Sequence, residues 1–151
     1  MKRVVAGVNE AGRSYVVSSE ELDDSDPITV WDYEPSQVLE LIKAIDPAIA
    51  ADWIGPQTSG GARWIFAPLK PQAEQGEHRV MEGIDEEGFH TTRTVDFDII
   101  LEGDLTMVLD EERVHLHKGD FVILQGTRHA WKNESDKTAI LLALLHRPDG
   151  V

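Results

Sequence analysis

Two histidines and a carboxylate in the second half of the chain are residue types suited to bind a metal ion: His90, Asp96 and His129. First-row transition metals commonly take two imidazoles and one carboxylate and keep open positions for a substrate. The set therefore predicts a divalent ion, and the sequence does not choose among Fe, Mn, Ni, Zn, Co and Cu. Asp98 follows two residues after Asp96 and is a candidate general base, so both aspartates are candidate catalytic residues.

The same side chains have two metal-free interpretations. The histidines could bind a ligand directly, which would make the protein a binding or sensing module without catalysis. Alternatively, a histidine and an aspartate could exchange protons with a substrate, as an isomerase or dehydratase requires. The sequence leaves open whether any metal binds and whether a reaction occurs.

Other residues are candidates for the walls of a substrate pocket. Trp131 lies two residues after His129, so on a strand it shares the histidine's face and could contact a flat, apolar ligand. Trp64 and Phe66 share one face of an earlier strand and are predicted to contribute in the same way. Arg128, with Arg63 as a second candidate, could clamp a substrate carboxylate. Thr92 completes the predicted pocket.

The elements that must position these residues are almost all strands. Short apolar and β-branched runs recur from residue 63 onward and are separated by turn sequences such as "EGD", "KGD" and "QGTR", which is typical of a sandwich or barrel. Before them, "RVVAGV" and "RSYVVS" predict an N-terminal hairpin, and "ITVWDY" predicts a further strand. One helix is predicted after Ser36 as its N-cap, closed by Pro47.

The run "HTTRTVDFDIIL" predicts a strand from His90 to Leu101 with two different faces. Successive side chains on a strand point to opposite faces. One face is then polar, and its members are His90, Thr92, Thr94, Asp96 and Asp98. The other is apolar, and its members are Val95, Phe97, Ile99 and Leu101. A polar face turned inward suits a small barrel with a binding site at its mouth.

Two segments carry a family resemblance. "HTTRTVDFDIILEG" and "KGDFVILQGTRHAWKN" resemble the first and second motifs of the cupin superfamily. The second motif is matched at Gly119, Gly126, His129 and Asn133, with its proline missing and its spacing one residue shorter. The first is matched at His90 and Gly103. It departs in having Thr92 in place of the second histidine, Asp96 in place of a glutamate that reaches about 1.5 Å further, and Ile84 where the leading glycine is expected.

The resemblance implies an all-β fold, an antiparallel jelly-roll β-barrel with an N-terminal hairpin and one short helix. Residues 1–62 are expected to pack on a barrel formed by residues 63–151, as one structural domain. It further implies a small-molecule-binding protein, with a metal-dependent oxygenase, lyase or isomerase acting on a small organic acid or aromatic metabolite as the leading hypothesis. A homodimer is expected from the resemblance.

Charge and composition bound the remaining partners. The net charge of −14 repels phosphate backbones, so neither nucleic acid nor an anionic membrane is an expected partner. The longest apolar run, "AILLALL", is far shorter than the roughly 20 residues of a membrane span. The chain has no cysteine, which excludes disulfides and zinc–thiolate sites, and a cytoplasmic location is predicted. His115 and His117 are predicted to face solvent, and His78 to lie in a loop.

Overall fold

The computed structural model describes residues 1–23, 25–75 and 81–151. Most of the regular structure in these ranges is β, as predicted, and they contain one α-helix and a single short 3-10 turn at Gln72–Glu74. The elements, in chain order, are β1 Lys2–Val8, β2 Ser14–Glu21, α1 Pro35–Lys43, β3 Ala62–Leu69, β4 Val95–Glu102, β5 Asp104–Val108, β6 Arg113–His117, β7 Phe121–Gln125, β8 Ala130–Lys132 and β9 Ala139–His146.

The strands form two sheets. A six-stranded sheet has the order β2-β1-β7-β4-β9-β3, and a three-stranded sheet has the order β6-β5-β8. The pairs are antiparallel except β1 with β7, which is parallel. This arrangement confirms the all-β jelly-roll fold. Because β1 pairs directly with β7, the predicted N-terminal hairpin is a part of the main sheet. The division of the chain at residue 62 stays a prediction.

The core lies between the two sheets. It contains side chains from β1, β4, β7 and β9 on one side and from β5 and β6 on the other. Its fully buried members include Val4, Ile100, Leu116, Val122 and Met107. Burying a Val, Leu or Ile side chain contributes about 1.5–3 kcal/mol. This packing therefore fixes the half of the barrel away from the polar residues of β4.

The helix packs on the opposite face of the six-stranded sheet. Val38 and Ile42 of α1 contact Val5, Val95 and Ile123. The prediction that Ser36 caps this helix is wrong, because the N-cap is Glu34 and Pro35 occupies the first turn, where a missing N–H costs nothing. The helix also ends before the predicted Pro47, at Lys43.

Two predicted strands differ from the structure. Residues 28–33 are not a strand. Trp31 and Tyr33 of this segment bury their rings against the helix cluster by packing, so no strand pairing is needed. The predicted strand from His90 begins five residues later at Val95, and His90 makes only an isolated bridge.

Three further predictions concern exposure. His115 and His117 both lie on the solvent side of β6, as predicted. His78 lies outside the described residues. In the part of the chain that the structure describes, no helix is long and apolar enough to cross a bilayer. The cytoplasmic location and the absence of nucleic-acid and membrane partners stay predictions.

Candidate functional site

His90 and His129 lie side by side. Their backbones exchange two hydrogen bonds, from His90 N to His129 O at 2.9 Å and from His129 N to His90 O at 3.0 Å. Residues paired in this way on antiparallel segments project side chains to the same face. The two ring centroids are 4.4 Å apart, with a tilt of 56°. Backbone pairing of two distant segments therefore creates the histidine pair.

A backbone carbonyl fixes the orientation of each imidazole. Nδ1 of His90 donates to the carbonyl of Gly88 at 3.2 Å, and Nδ1 of His129 donates to the carbonyl of Thr127 at 2.9 Å. A carbonyl only accepts, so the proton of each neutral ring lies on Nδ1 and the lone pair on Nε2. The turn that holds His129 depends on Gly126, whose φ of 58° favours glycine and whose Cβ would lie 2.7 Å from Ile45.

Burial keeps both rings neutral. It lowers the pKa of His90, against the opposing effects of the Gly88 carbonyl and of Asp85. The pKa of His129 falls to about 3, chiefly because the ring is buried and secondarily because His90 lies beside it. At neutral pH the pair therefore presents two unprotonated Nε2 atoms.

A chain of polar side chains leads from the histidines along β4. The hydroxyls of Thr92 and Thr94 are hydrogen-bonded at 2.7 Å, and the Thr94 hydroxyl donates to Oδ1 of Asp96 at 2.5 Å. All three residues are buried. Asp98 follows on the same face, is 3% exposed, and its Oδ1 has no hydrogen-bond partner among the described residues.

The pKa values of the two carboxyl groups are both raised. Burial raises the pKa of Asp96 to about 7, although the Thr94 hydroxyl opposes the shift. Burial also raises the pKa of Asp98 well above its ordinary value, and the neighbouring Asp96 carboxylate adds to the rise. Strongly shifted groups in a cleft are characteristic of functional sites.

These groups line one cavity of about 680 Å³ between the two sheets. Its polar members are His90, His129, Thr92, Asp96, Asp98 and Arg63, and its apolar members are Trp53, Ile54, Ile65, Ala67, Leu69, Ile84, Trp131, Leu141, Ala143 and Leu145. Such a cavity, mostly apolar with a few convergent polar groups, is typical of small-molecule sites.

Strand register sets the order of the groups within the cavity. Asp96 is level with Leu145 of β9 and Arg63 of β3. Asp98 is level with Ala143, one row further in. The next row contains Ile100 and Leu141, and it is wholly apolar. The polar groups therefore form a belt across the cavity, and hydrocarbon side chains line the end beyond it.

The histidine pair supplies only part of the predicted metal site. Among residues 1–23, 25–75 and 81–151, no three His, Asp or Glu side chains converge closely enough to hold a metal ion. Asp96, the predicted third ligand, instead accepts a hydrogen bond from Thr94. That His90, Asp96 and His129 form one ligand set stays a prediction.

Trp64 and Phe66 do not line this cavity, so the prediction that they do is wrong. Their side chains are 66% and 62% exposed on the outer face of β3, whereas the alternate residues Ile65 and Ala67 face inward. The sequence shows only that the two aromatics share a face. Which face points inward depends on the pairing of β3 with β9. Trp131 lines the cavity, with its ring 5.9 Å from that of His129.

Arg128 is also outside the cavity lining, which corrects its prediction as a carboxylate clamp there. Its guanidinium forms ion pairs with Asp110 and Asp85, both at 2.6 Å, and lies 4.0 Å from the ring centroid of Phe89. Arg63 does line the cavity, but its Nη1 donates to the backbone carbonyls of Trp53 and Ile54. Both arginines thus hold loops in place.

Sequence reasoning missed three lining residues that lie outside the strands: Trp53, Ile54 and Ile84. Trp53 and Ile54 follow the helix, and Trp53 Nε1 donates to the carbonyl of Glu82 at 2.8 Å, which joins the two loops. An ion pair of Arg93 with Asp52 further fixes the first loop. No local sequence pattern predicts these positions, because only the folded loops bring them to the cavity.

The Cupin domain family matches residues 76–145, a segment that contains both histidines and the two aspartates. This match, together with the all-β jelly-roll fold, supports membership of the cupin superfamily. The motif asparagine of this cupin, Asn133, has a structural role: its Nδ2 donates to the carbonyls of Leu69 and Lys137, both at 2.7 Å.

Curated relatives match over a short segment. A phomopsin biosynthesis cluster protein C' from Diaporthe leptostromiformis is 40% identical over 48 residues, which is 30% of this cupin and 25% of that protein. An oryzines biosynthesis cluster protein J from Aspergillus oryzae is 40% identical over 58 residues, which is 37% of this cupin and 31% of that protein. The match thus spans about a quarter to a third of the relatives' length.

Solved structures with similarity include a Cupin 2 conserved barrel domain protein from Salinispora arenicola. It is 24% identical, has a TM-score of 0.42, and the match covers 60% of this cupin and 67% of that chain. A cupin-2 domain containing protein from Shewanella frigidimarina is 13% identical with a TM-score of 0.42, covering 61% and 76% of the two chains.

Proposed function

We propose that this cupin binds a small, largely apolar molecule in the cavity between its sheets, with the polar belt as the point of recognition. The observation that carries the proposal is the cavity of about 680 Å³ itself, with hydrocarbon walls and a belt of two imidazoles and two carboxyls. Cavities of roughly 300–1,000 Å³ bury most of a drug-sized ligand. The names of two curated relatives refer to biosynthesis clusters, which agrees with a small-molecule ligand.

The belt favours a neutral ligand over the organic acid expected from the sequence. Both carboxyl groups are buried, and their raised pKa values reflect the cost of a negative charge at this place. A ligand carboxylate at the belt would meet the same cost and would lie beside two acidic side chains. An aromatic or aliphatic body would instead contact Trp131 and Leu141.

A neutral fluorescent compound, N-phenyl-1-naphthylamine, tests the binding proposal. Its emission should rise on titration into wild-type protein, because the cavity removes it from water. Ala143→Phe should abolish the rise by filling the cavity. Leu142→Phe, one residue away on the outer face, is the matched control and should bind normally. Equal binding by both variants would contradict the proposal.

Catalysis at a metal ion is the second candidate function. The observation that favours it is the histidine pair, whose Nδ1 atoms are held by carbonyls while Nε2 has no partner among the described residues. This is the arrangement in which metal-bound imidazoles are usually supported. A metal-free alternative uses the same histidines with Asp96 or Asp98 as an acid–base pair.

Metal content distinguishes these two forms of catalysis. Elemental analysis by mass spectrometry is performed on untagged protein after incubation with Fe, Mn, Ni, Zn, Co or Cu, beside the His90→Ala, His129→Ala double variant. Near-stoichiometric metal that the double variant lacks supports the metal-dependent enzyme. Equal, substoichiometric metal in both proteins contradicts it and leaves acid–base chemistry.

The expected homodimer would form at the exposed edge of β3. Among the residues that the structure describes, this strand pairs only with β9, and it presents Trp64 and Phe66 to solvent. An unpaired edge with exposed aromatics is a favourable surface for association. Sedimentation equilibrium tests the proposal directly.

A further inference from the structure

Asp98 is the one member of the polar belt that the protein leaves without a hydrogen bond in the part of the chain the structure describes. Thr94 contacts Asp96, and the carbonyls of Gly88 and Thr127 hold the histidines, but Oδ1 of Asp98 has no partner. A buried polar atom without a hydrogen bond costs about 1–3 kcal/mol. Asp98 also lines the cavity, so a ligand group that reaches this carboxyl can supply the missing partner.

The surroundings of Asp98 define the shape of that ligand. On the adjacent strand β9, the residue paired with Asp98 is Ala143, whose small side chain leaves space in the cavity at this level. Beyond this level the cavity is lined by the hydrocarbon side chains of Ala67, Leu69 and Leu141. A ligand whose polar group reaches Asp98 therefore places the rest of its body against hydrocarbon.

The hydrogen-bonding capacity of the Asp98 carboxyl indicates which polar group the ligand carries. A hydroxyl both donates and accepts, so it pairs with the Asp98 carboxyl in either protonation state. A pure hydrocarbon leaves the carboxyl unpaired, and a carboxylate brings a negative charge beside Asp96 and Asp98. Among the described lining residues, Arg63 is the only lysine or arginine, and it lies in the row of Asp96, two strands away.

We propose that Asp98 selects, among the apolar molecules that the cavity admits, neutral hydroxyl compounds whose hydrocarbon body fills the space beyond the polar belt. The inference rests on the proposed binding function and deepens it by naming the ligand class. It concerns recognition and assigns no reaction to the protein.

Three compounds with the same aromatic body test this selection: 2-naphthol, naphthalene and 2-naphthoate. Dissociation constants are measured at pH 7 by fluorescence with the full chain. We expect wild-type protein to bind 2-naphthol at least tenfold more tightly than either of the others. In Asp98→Leu the advantage of 2-naphthol over naphthalene should fall to less than threefold, while naphthalene binding is kept or improved.

Two further variants make the test specific. Asp98→Asn keeps a group that donates and accepts, so the preference for 2-naphthol should persist. Asp136→Asn removes an exposed carboxylate outside the cavity and should bind as wild type does.

The failures of the two proposals are distinguishable. Equal affinity for naphthalene and 2-naphthol in wild type, or an unchanged preference in Asp98→Leu, overturns the role of Asp98 and leaves cavity binding intact. Tightest binding of 2-naphthoate also overturns it. If none of the three compounds binds to wild type and N-phenyl-1-naphthylamine also fails, the cavity proposal itself is overturned.

Discussion

The two faces of β4 differ in a way that reverses the usual pattern of a sheet. The inner face carries Asp96 and Asp98, whereas the outer face carries Phe97 and Ile99. Soluble sheets commonly turn apolar residues inward and polar residues outward. A buried carboxyl is unfavourable for folding by itself. The comparison indicates that the inner face at this level is shaped for a ligand, and that stability comes from other parts of the barrel.

The outer face divides into two regions. Near the start of β4, Val95 is covered by α1 and is 0% exposed. Toward β3, Trp64 and Phe66 remain exposed, and a groove of about 260 Å³ lies between Trp31, Trp64 and Leu144. The chain covers the first region itself, and the second is the surface proposed for a second copy.

The largest change in the free energy of unfolding is expected from truncating a side chain at the apolar end of the inner face of β4. Ile100→Ala should lower the free energy of unfolding by about 2–5 kcal/mol, because Ile100 is fully buried and its loss leaves a cavity. Ile99→Ala, on the half-buried outer face, should cost less than half as much. Urea denaturation of both variants checks the difference. Equal losses would mean that the two faces are equally packed.

A gain of stability is expected at the polar belt. Asp98→Leu should raise the free energy of unfolding at pH 7 by about 1–3 kcal/mol, because it replaces a buried carboxyl lacking a partner by a hydrocarbon of similar size. Thermal and urea unfolding measure the change. A destabilised variant would indicate that Asp98 holds the fold together.

The belt also predicts opposing effects of pH on stability. Asp96 has a raised pKa of about 7, so its contribution is complete below pH 4 and is lost as pH rises toward 7. His129 has a lowered pKa of about 3, so its contribution is complete above pH 6.5 and is lost as pH falls toward 3. Asp98, whose pKa is also raised by burial, acts in the same direction as Asp96, and His90, whose pKa is lowered by burial, acts in the same direction as His129.

Variants that remove one type of group separate the two contributions. His129→Gln should lose stability as pH rises from 4 to 7, and the Asp96→Asn, Asp98→Leu double variant, which lacks both buried carboxyl groups, should gain stability as pH rises from 4 to 6.5. Each slope is at most about 1.4 kcal/mol per pH unit for one proton. Unfolding by urea across this range measures both slopes. Parallel profiles in the two variants would contradict the assignment.

The smallest effect on folding is expected at the exposed aromatics. Trp64→Ser should change the stability of one chain by about 0.5 kcal/mol or less, since the side chain is 66% exposed. The same substitution should raise the dissociation constant of the proposed homodimer. Sedimentation equilibrium of the variant and the wild type measures this change, and an unaltered dimer would place the interface elsewhere.

The sequence predicts the fold and the inward residues of β4 well. Alternation of polar and apolar side chains from Thr92 to Ile100 indicated which residues share a face, and the motif residues His90 and His129 indicated which face is inward. Alternation alone does not orient a strand, so Trp64 and Phe66 were assigned to the wrong side. Side-chain pairing between distant residues also leaves no local pattern, which is why the ion pairs of Arg128 and the hydrogen bond from Thr94 to Asp96 were not predicted.

The most direct test of the cavity as the binding site compares methyl groups that line the cavity with methyl groups that line the outer groove, in one experiment. Methyl NMR spectra are recorded while naphthalene is titrated into the full chain. Binding in the cavity predicts saturable shifts of the methyl groups of Ala67 and Ala143, with Leu142 and Leu144 on the outer face unchanged. Shifts confined to Leu142 and Leu144, or the absence of saturable shifts, would contradict the assignment of the inner cavity as the site.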